Sequence, residues 1–264
     1  MDILKRSLAP ITEEAWEEID EFAKDVITSQ LSARKVVDVE GPRGWETSSV
    51  SVGRLEVPSG QKDGDVQYGI RMVKPLVEIR VPFELDMWEL DNISRGAKDA
   101  ELAPLEEAAK KAARFEEDAV YKGFTLGSIT GMAEEASFKI QSGGKDVSYL
   151  GLFAQAIDKM NDVGISGPYS LVVPSEKWYS IVDSSKGYPI ERQITELLGG
   201  PVVLNQNLDK AYVVSRRGGD FILTLGIDFS LGYDSHTSKS VLFFITETFN
   251  FRVLEPRAFV QVEL

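Results

Sequence analysis

From Pro201 onward the chain is almost continuous strand sequence, and this most narrows what it can fold into. Branched and aromatic residues crowd Val202 to Leu204, Ala211 to Val214, Phe221 to Leu225, Leu242 to Val253 and Ala258 to Val262, and such side chains suit a pleated, half-buried surface. Gly218-Gly219-Asp220 reads as a tight turn between strands, and Gly226 to Tyr233 keeps the same sheet-like texture. The preceding two-thirds mixes helical and strand patterns without a repeating βαβ rhythm. That distribution argues for an α+β fold over a doubly wound sheet. At 264 residues the chain makes one large or two ordinary domains. No internal repeat or low-complexity stretch interrupts it.

Residues 12–33 form the clearest helix. Thr12 can cap it, Glu13 and Glu14 favour its positive end, and Trp16, Ile19, Phe22, Ala23, Val26, Ile27 and Leu31 make one apolar stripe. The stripe has to dock, and the body of its own subunit is the expected surface. Pro104 opens a second helix to about Lys122, stopped by Gly123, whose alanines permit close backbone approach. A third covers about Val147 to Asn161, with Gly164 beyond its end. Tyr169 to Val173 reads as a strand, Ser175 caps a short helix containing Trp178, and Pro189 opens another that Gly199-Gly200 ends. Between Gly44 and Asp86, alternating strands around the polar turn 59–64 predict a long hairpin. A two-stranded ribbon alone is only marginally stable in water. An arm of this size therefore needs another surface, such as a neighbouring subunit.

The inventory for chemistry is thin. One histidine and no cysteine leave little for a nucleophile–base pair or a zinc site, so no catalytic residue and no metal ligand is expected. His236 stands in a polar turn with nothing nearby in sequence to orient it, and no Gly-x-Ser-x-Gly elbow occurs. The stretch 125–131 has glycines but lacks a phosphate-loop lysine. The pairs Glu106-Glu107, Glu116-Glu117 and Glu134-Glu135 read as solvated faces, since adjacent helical residues do not share one. The basic pairs Lys5-Arg6, Arg34-Lys35, Lys110-Lys111 and Arg216-Arg217 also read as solvated surface. With a net charge of −13, nucleic acid is not the expected partner. No apolar run reaches the roughly 18 residues of a membrane span, and Met1 to Arg6 lacks the layout of a secretory signal. Trp88 by default packs in a core or an interface; at a domain edge it could stack on a flat ligand, with Arg80 supplying charge.

Several phrases together are more specific. Leu4 to Pro10, Arg34 to Trp45, Trp88 to Asn92, Gly167-Pro168-Tyr169, Gly218 to Phe221, Gly226 to Tyr233 and Ile245 to Phe249 stand in an order and spacing that resemble the encapsulins. These linocin-like proteins form the shells of bacterial and archaeal nanocompartments, and the resemblance runs over essentially the whole chain. It implies an HK97 phage major-capsid-like fold, within the α+β class. The N-terminal helix and first part of a peripheral domain would occupy 1–43, an extended arm (the E-loop) 44–86, and the peripheral domain with its spine helix 87–133. An axial domain would follow over 134–220, with the terminal strands 221–264 returning to the peripheral domain.

The resemblance also implies function. Copies would self-assemble, sixty of them in a T=1 icosahedron, into a cytoplasmic shell with no membrane partner. The shell would enclose cargo enzymes, a ferritin-like protein or a dye-decolorizing peroxidase, serving iron storage or oxidative-stress defence. A C-terminal targeting peptide on the cargo would bind at Ile27, Leu31, Arg34 and Asp38 together with Asp228, Ser230, Leu231 and Tyr233. That peptide should contain glycine and leucine or isoleucine, with basic residues near its end. No cofactor is required, although some members hold a flavin, FMN or similar, on the tryptophan that matches Trp88; Arg80 is kept here, whereas Met87 and Glu84 depart from the pattern. The loop of Asp183, Ser184, Ser185, Lys186, Gly187 and Tyr188 would line the five-fold opening, with Lys186 setting charge selectivity. An alternative is a prophage HK97-like major capsid protein packaging DNA, disfavoured by the acidic balance. A secreted hydrolase or antibacterial protein is less compatible still with one histidine and no nucleophile motif.

Overall fold

The computed structural model describes residues 3–61, 66–141, 148–183 and 189–264. Helix α1 (Glu13–Gln30) begins at the Thr12 cap, whose hydroxyl accepts the Ala15 amide at 3.2 Å. A 3-10 turn (Ala33–Lys35) leads from it to β1 (Asp38–Glu40), β2 (Ser49–Glu56), β3 (Ile70–Pro75) and β4 (Val77–Asp86). Helices α2 (Met87–Ser94), α3 (Ala103–Tyr121) and α4 (Met132–Glu135) precede β5 (Phe138–Gln141) and α5 (Tyr149–Asp162). Strand β6 (Tyr169–Pro174) runs into α6 (Ser175–Asp183); α7 (Ile190–Leu198) then ends on Gly199 at φ +70°, a left-handed cap. Strands β7 (Val202–Asn205), β8 (Ala211–Ser215), β9 (Phe221–His236), β10 (Ser240–Val253) and β11 (Phe259–Glu263) complete the chain.

Three sheets result, in the orders β1-β9-β10-β4, β5-β11-β8-β6-β7 and β2-β3. In the first, β10 pairs antiparallel with both β9 and β4, so it is the centre of the sheet. Side chains alternate along a strand, and Phe243, Ile245, Glu247, Phe249 and Phe251 share one face of β10, all fully buried. Trp16 of α1 meets Phe243 edge-on at 5.4 Å, and Phe115 of α3 meets Phe249 at 6.2 Å. This face therefore lies under α1 and α3. Ala108, Ala109, Ala112 and Ala113 of α3 are fully covered, and their small side chains let α1 and the sheet close on the helix from different sides. The expected docking of the α1 stripe within its own subunit is what the structure shows. A stack of Tyr121 on Tyr212 at 5.6 Å and an edge contact of Phe221 with Phe259 at 5.6 Å carry the core on into the five-stranded sheet.

Several expectations change on contact with the structure. The ribbon is shorter than 44–86: β2 and β3 pair from Ser49↔Pro75 to Glu56↔Ile70, while β4 leaves the arm and pairs with β10 from Val77↔Phe249 to Asp86↔Ser240. The Leu76 amide donates to the Ser48 carbonyl at 2.9 Å and closes the root of the arm there; residues 62–64 of the expected turn lie outside the described residues. The terminal strands do not all return to one body, because β11 joins β5 and β8 in the five-stranded sheet. Helix α2 was not expected: Asp86, the last residue of β4, caps it by accepting the Trp88 amide at 2.7 Å. Glu116 and Glu117 are not solvated but fully buried. They point some 100° apart, and α3 is covered on both of those sides, so each meets different partners.

The arm is apolar where nothing covers it. Leu55, Ile70, Met72 and Val73 are between 43% and 59% exposed. Cross-strand partners share a face, which puts Leu55 with Arg71 and Val73 on one side and Ile70 with Met72 on the other. Both faces thus carry uncovered apolar side chains.

Candidate functional site

A groove of about 500 Å³ lies between the C-terminal half of α1 and the middle of β9. Ile27 and Leu31, both nearly buried, form its floor, with Leu231 opposite. Six of the eight residues that the resemblance assigned to peptide binding meet here: Ile27, Leu31, Arg34, Asp228, Ser230 and Leu231. The periodicity of α1 puts Ile27, Leu31 and the exposed Thr28 on adjoining stripes. The β9 side owes its shape to a bulge: Thr246↔Ser230 and Thr248↔Ile227 are successive pairs, so three steps on β9 oppose two on β10. The extra residue turns Asp228 toward α1.

Arg34 is the keystone of the groove. Its Nε and Nη2 donate to both Glu116 carboxylate oxygens at 2.6–3.0 Å, its Nη1 to Asp228 Oδ1 at 2.8 Å, and its Nη2 also to Glu247 Oε1 at 2.6 Å. Its guanidinium also lies over the Phe229 ring at 5.0 Å. One side chain thereby joins the turn after α1 to α3, β9 and β10. Burial opposes the charge of Arg34, but Glu116, Glu247 and Asp228 together hold it more firmly protonated than a free arginine. Burial, and then the adjacent Glu116 carboxylate, push the Glu247 carboxyl well above the usual carboxylate range, against the pull of Arg34. Two carboxylates at this separation repel, which adds to burial in favouring the protonated form of Glu247. Within the basic pair Arg34-Lys35, Arg34 is thus structural, while Lys35 is exposed as expected. A lone glutamate inside the run Phe243 to Phe251 was the available sign, because such a group needs a buried partner.

A second buried carboxylate lies one residue away. Glu117 accepts the amides of Ser32 and Ala33 at 2.9 and 2.7 Å, the Ser32 hydroxyl, and Asn205 Nδ2 at 2.7 Å. Burial raises its pKa to about 7 in spite of those donors. The cluster ties α3 to the turn after α1 and to β7.

Asp38 and Tyr233, the two remaining assigned residues, do not line the groove. Asp38 Oδ2 accepts the Gly219 amide at 2.6 Å. The backbone of Tyr233 donates to the Leu4 carbonyl at 2.8 Å, and its hydroxyl meets His236 Nδ1. His236 is the last residue of β9, in place of the turn position expected. Lining residues that sequence reasoning missed are Leu4, Arg6, Asp20, Ala23, Lys24, Thr28 and Phe229. Arg6 is held over the Trp16 ring at 3.9 Å and against Asp20 at 2.5 Å, so this basic pair too is partly structural.

Trp88 is neither core nor internal interface, being 68% exposed on α2. Arg80 lies six residues before the end of β4, which a strand rise places roughly 20 Å away, with its guanidinium over Phe244 at 4.2 Å. One subunit does not bring the two together. Of the expected five-fold loop, Asp183 ends α6, and Ser184, Ser185, Lys186, Gly187 and Tyr188 lie outside the described residues. Among the described residues no group of histidine and carboxylate side chains has the make-up of a metal site, and no helix is long and apolar enough to cross a membrane. The glycine stretch 125–131 is a packing device: a Cβ on Gly127 would stand 2.2 Å from Val77 Cγ2.

The model of a family described as encapsulating protein for peroxidase matches residues 1–250. A Type 1 encapsulin shell protein of Rhodospirillum rubrum is 40% identical over 98% of this chain and 96% of its own length. Another, from Mycolicibacterium paratuberculosis, is 38% identical over 95% of each chain. Among solved structures, a virus-like particle protein from Pyrococcus furiosus superposes with a TM-score of 0.66 at 17% identity, covering 94% of this chain and 98% of that one. The capsid protein of an empty GTA particle gives 0.57 at 17% identity over 88% and 89%. At those identities the structures speak for the HK97-like fold and for nothing more.

Proposed function

The chain belongs to the encapsulin shell-protein family, and from that premise we propose that sixty copies close as a T=1 cytoplasmic shell that captures a cargo enzyme by its C-terminal tail. Self-assembly into a shell is the function of the family. The sixty-fold count, the cargo and the tail are our reading. The observation that carries it is the groove: an apolar floor of Ile27 and Leu31, a polar lip of Ser230 and Asp228, and a length of strand against helix that suits an extended peptide. Glycine would let such a tail run close along the floor, with leucine or isoleucine as its anchor and a basic group facing Asp228 or Asp20. The family's description favours a peroxidase as cargo, and a ferritin-like iron protein is the other member of the same redox class. The wall itself supplies confinement and no catalysis.

The uncovered apolar faces of the β2–β3 ribbon support the assembly reading, since an isolated ribbon of this kind gains stability only against another surface. We further propose that the flavin implied for Trp88 stacks on its exposed ring at a boundary between subunits, with the neighbour supplying the charge that Arg80 of the same chain is too far away to give. Lys186 remains our candidate for charge selectivity at the five-fold opening.

Peptide titration tests the groove. A synthetic tail with glycines, a leucine or isoleucine anchor and a basic end should bind wild-type shells and lose affinity on Thr28→Trp, which fills the groove from an exposed position, and on Leu31→Asp. Unchanged affinity in Thr28→Trp rejects the groove.

A further inference from the structure

Beside the groove lies a second depression, of about 900 Å³, between the end of α1, α6 and the outer edge of β7. Its lining includes Lys35, Arg216, Gln30, Gln206, Trp178 and Tyr179, and no aspartate or glutamate. The chain as a whole carries 42 acidic against 29 basic residues. A cationic wall free of carboxylates is therefore the reverse of the average surface. Lys35 and Arg216 are both exposed, and neither forms an ion pair among the described residues. Arg217, by contrast, is held by Asp220 at 2.8 Å. A smaller adjoining depression of about 130 Å³ does include two carboxylates, Asp38 and Asp220. Both are committed elsewhere, Asp38 to the Gly219 amide and Asp220 to Arg217.

Two further features select the kind of ligand. Among the described residues, strand β7 is the outermost of its sheet and pairs only with β6, so one row of its backbone groups has no strand partner there. An extended polypeptide can add to such an edge. Arg34 lines both the groove and this depression, so a chain leaving the groove past the 3-10 turn enters the cationic depression directly. The Arg34 charge itself is taken up by three carboxylates, which leaves Lys35 and Arg216 as the free cations.

We infer that the cargo tail carries an acidic stretch next to its apolar one, and that this stretch docks along the β7 edge against Lys35 and Arg216. The inference rests on the groove being the cargo site, and goes beyond it by assigning a second contact and its charge. Exposed pairs contribute little each, and two of them correspond to a gain of roughly threefold to tenfold in affinity. Salt should erase that gain.

The test uses intact shells and two peptides with one apolar segment, flanked by Glu-Glu or by Gln-Gln. On wild type at low salt the acidic peptide should bind roughly threefold to tenfold more tightly, with the advantage gone at high salt. In Lys35→Glu/Arg216→Glu shells the order should reverse while the Gln-Gln peptide binds as before. Equal affinity of the two peptides for wild type overturns this inference and leaves the groove standing. Failure of both peptides on wild type, or a Gln-Gln peptide indifferent to Thr28→Trp, overturns the groove reading itself. Saturable binding of inorganic phosphate to wild type but not to the double variant assigns the depression to a small free anion and overturns the peptide assignment.

Discussion

Replacing Arg34 by methionine removes the one cation that faces Glu116, Glu247 and Asp228 while keeping most of the side-chain volume. Glu116 and Glu247 are fully buried, and only Asp228 reaches solvent. Breaking a buried ion pair from one side costs about 3–5 kcal/mol, because an uncompensated charge stays in the interior. That is a large part of the 5–15 kcal/mol typical of a whole domain, and it lowers the melting temperature by roughly 6–20 °C. The loss should also depend on pH. Arg34 is what pulls the Glu247 carboxyl down, so without it the folded-state pKa rises further above the unfolded value. Stability tied to a raised pKa is present below the unfolded pKa and is lost as pH rises toward the folded one. Between about pH 4.5 and 8 the deficit of the variant should therefore be smallest at the acid end and widen from the pH at which wild type begins to release the Glu247 proton. Thermal melts of shells at fixed concentration across that range measure it. Adding Glu247→Gln to Arg34→Met should recover part of the deficit, since one buried proton site disappears. A deficit under about 1 kcal/mol, or one that shrinks as pH rises, refutes the placement of Arg34 as the keystone.

Other outcomes follow from the same geometry. Glu117, raised to about 7 chiefly by burial, favours the fold below its unfolded pKa and loses that contribution as pH climbs to 7; Glu117→Gln should flatten the denaturant midpoint between pH 5 and 8, and an unaltered pH profile contradicts the assignment. Ile70→Asp with Leu55→Asp, on opposite faces of the arm, should leave the subunit folded by circular dichroism but stop particle formation in size-exclusion chromatography. A yellow absorbance that co-purifies with wild type and vanishes in Trp88→Ala supports flavin at that ring, and colourless wild-type shells count against it. Gly127→Ala should cost about 1–3 kcal/mol by overpacking, because its Cβ would meet Val77 at 2.2 Å; an unchanged melt shows that the turn can shift.

What could be read from the sequence was local and periodic. Thr12 as a cap, the α1 stripe, the alanine spine of α3 and the Gly199 stop each follow from spacing or from backbone freedom at one residue, and each stands where expected. Non-local pairing was harder to see. Nothing near Leu76 signals that β4 leaves the arm for β10, since both alternatives show the same alternation. Helix α2 is 8 residues long and starts on the last residue of a strand, which leaves no loop to announce it. Glu116 and Glu117 look solvated because adjacent carboxylates usually are; only a helix packed on two sides buries both. In the groove, Ile27 and Leu31 were visible as a stripe, whereas the role of Arg34 depends on carboxylates 82 and 213 residues away. Asp38 matched the family by position, yet its carboxylate caps a turn instead of lining the groove.

The central claim is that copies of this 29.2 kDa chain close into a hollow shell. Mass measurement of the purified protein with electron microscopy of the same sample addresses it directly. The account predicts uniform, closed, hollow particles with the mass of sixty subunits and five-fold vertices. A stable monomer at high concentration in mild buffer, or open sheets without closure, would contradict it.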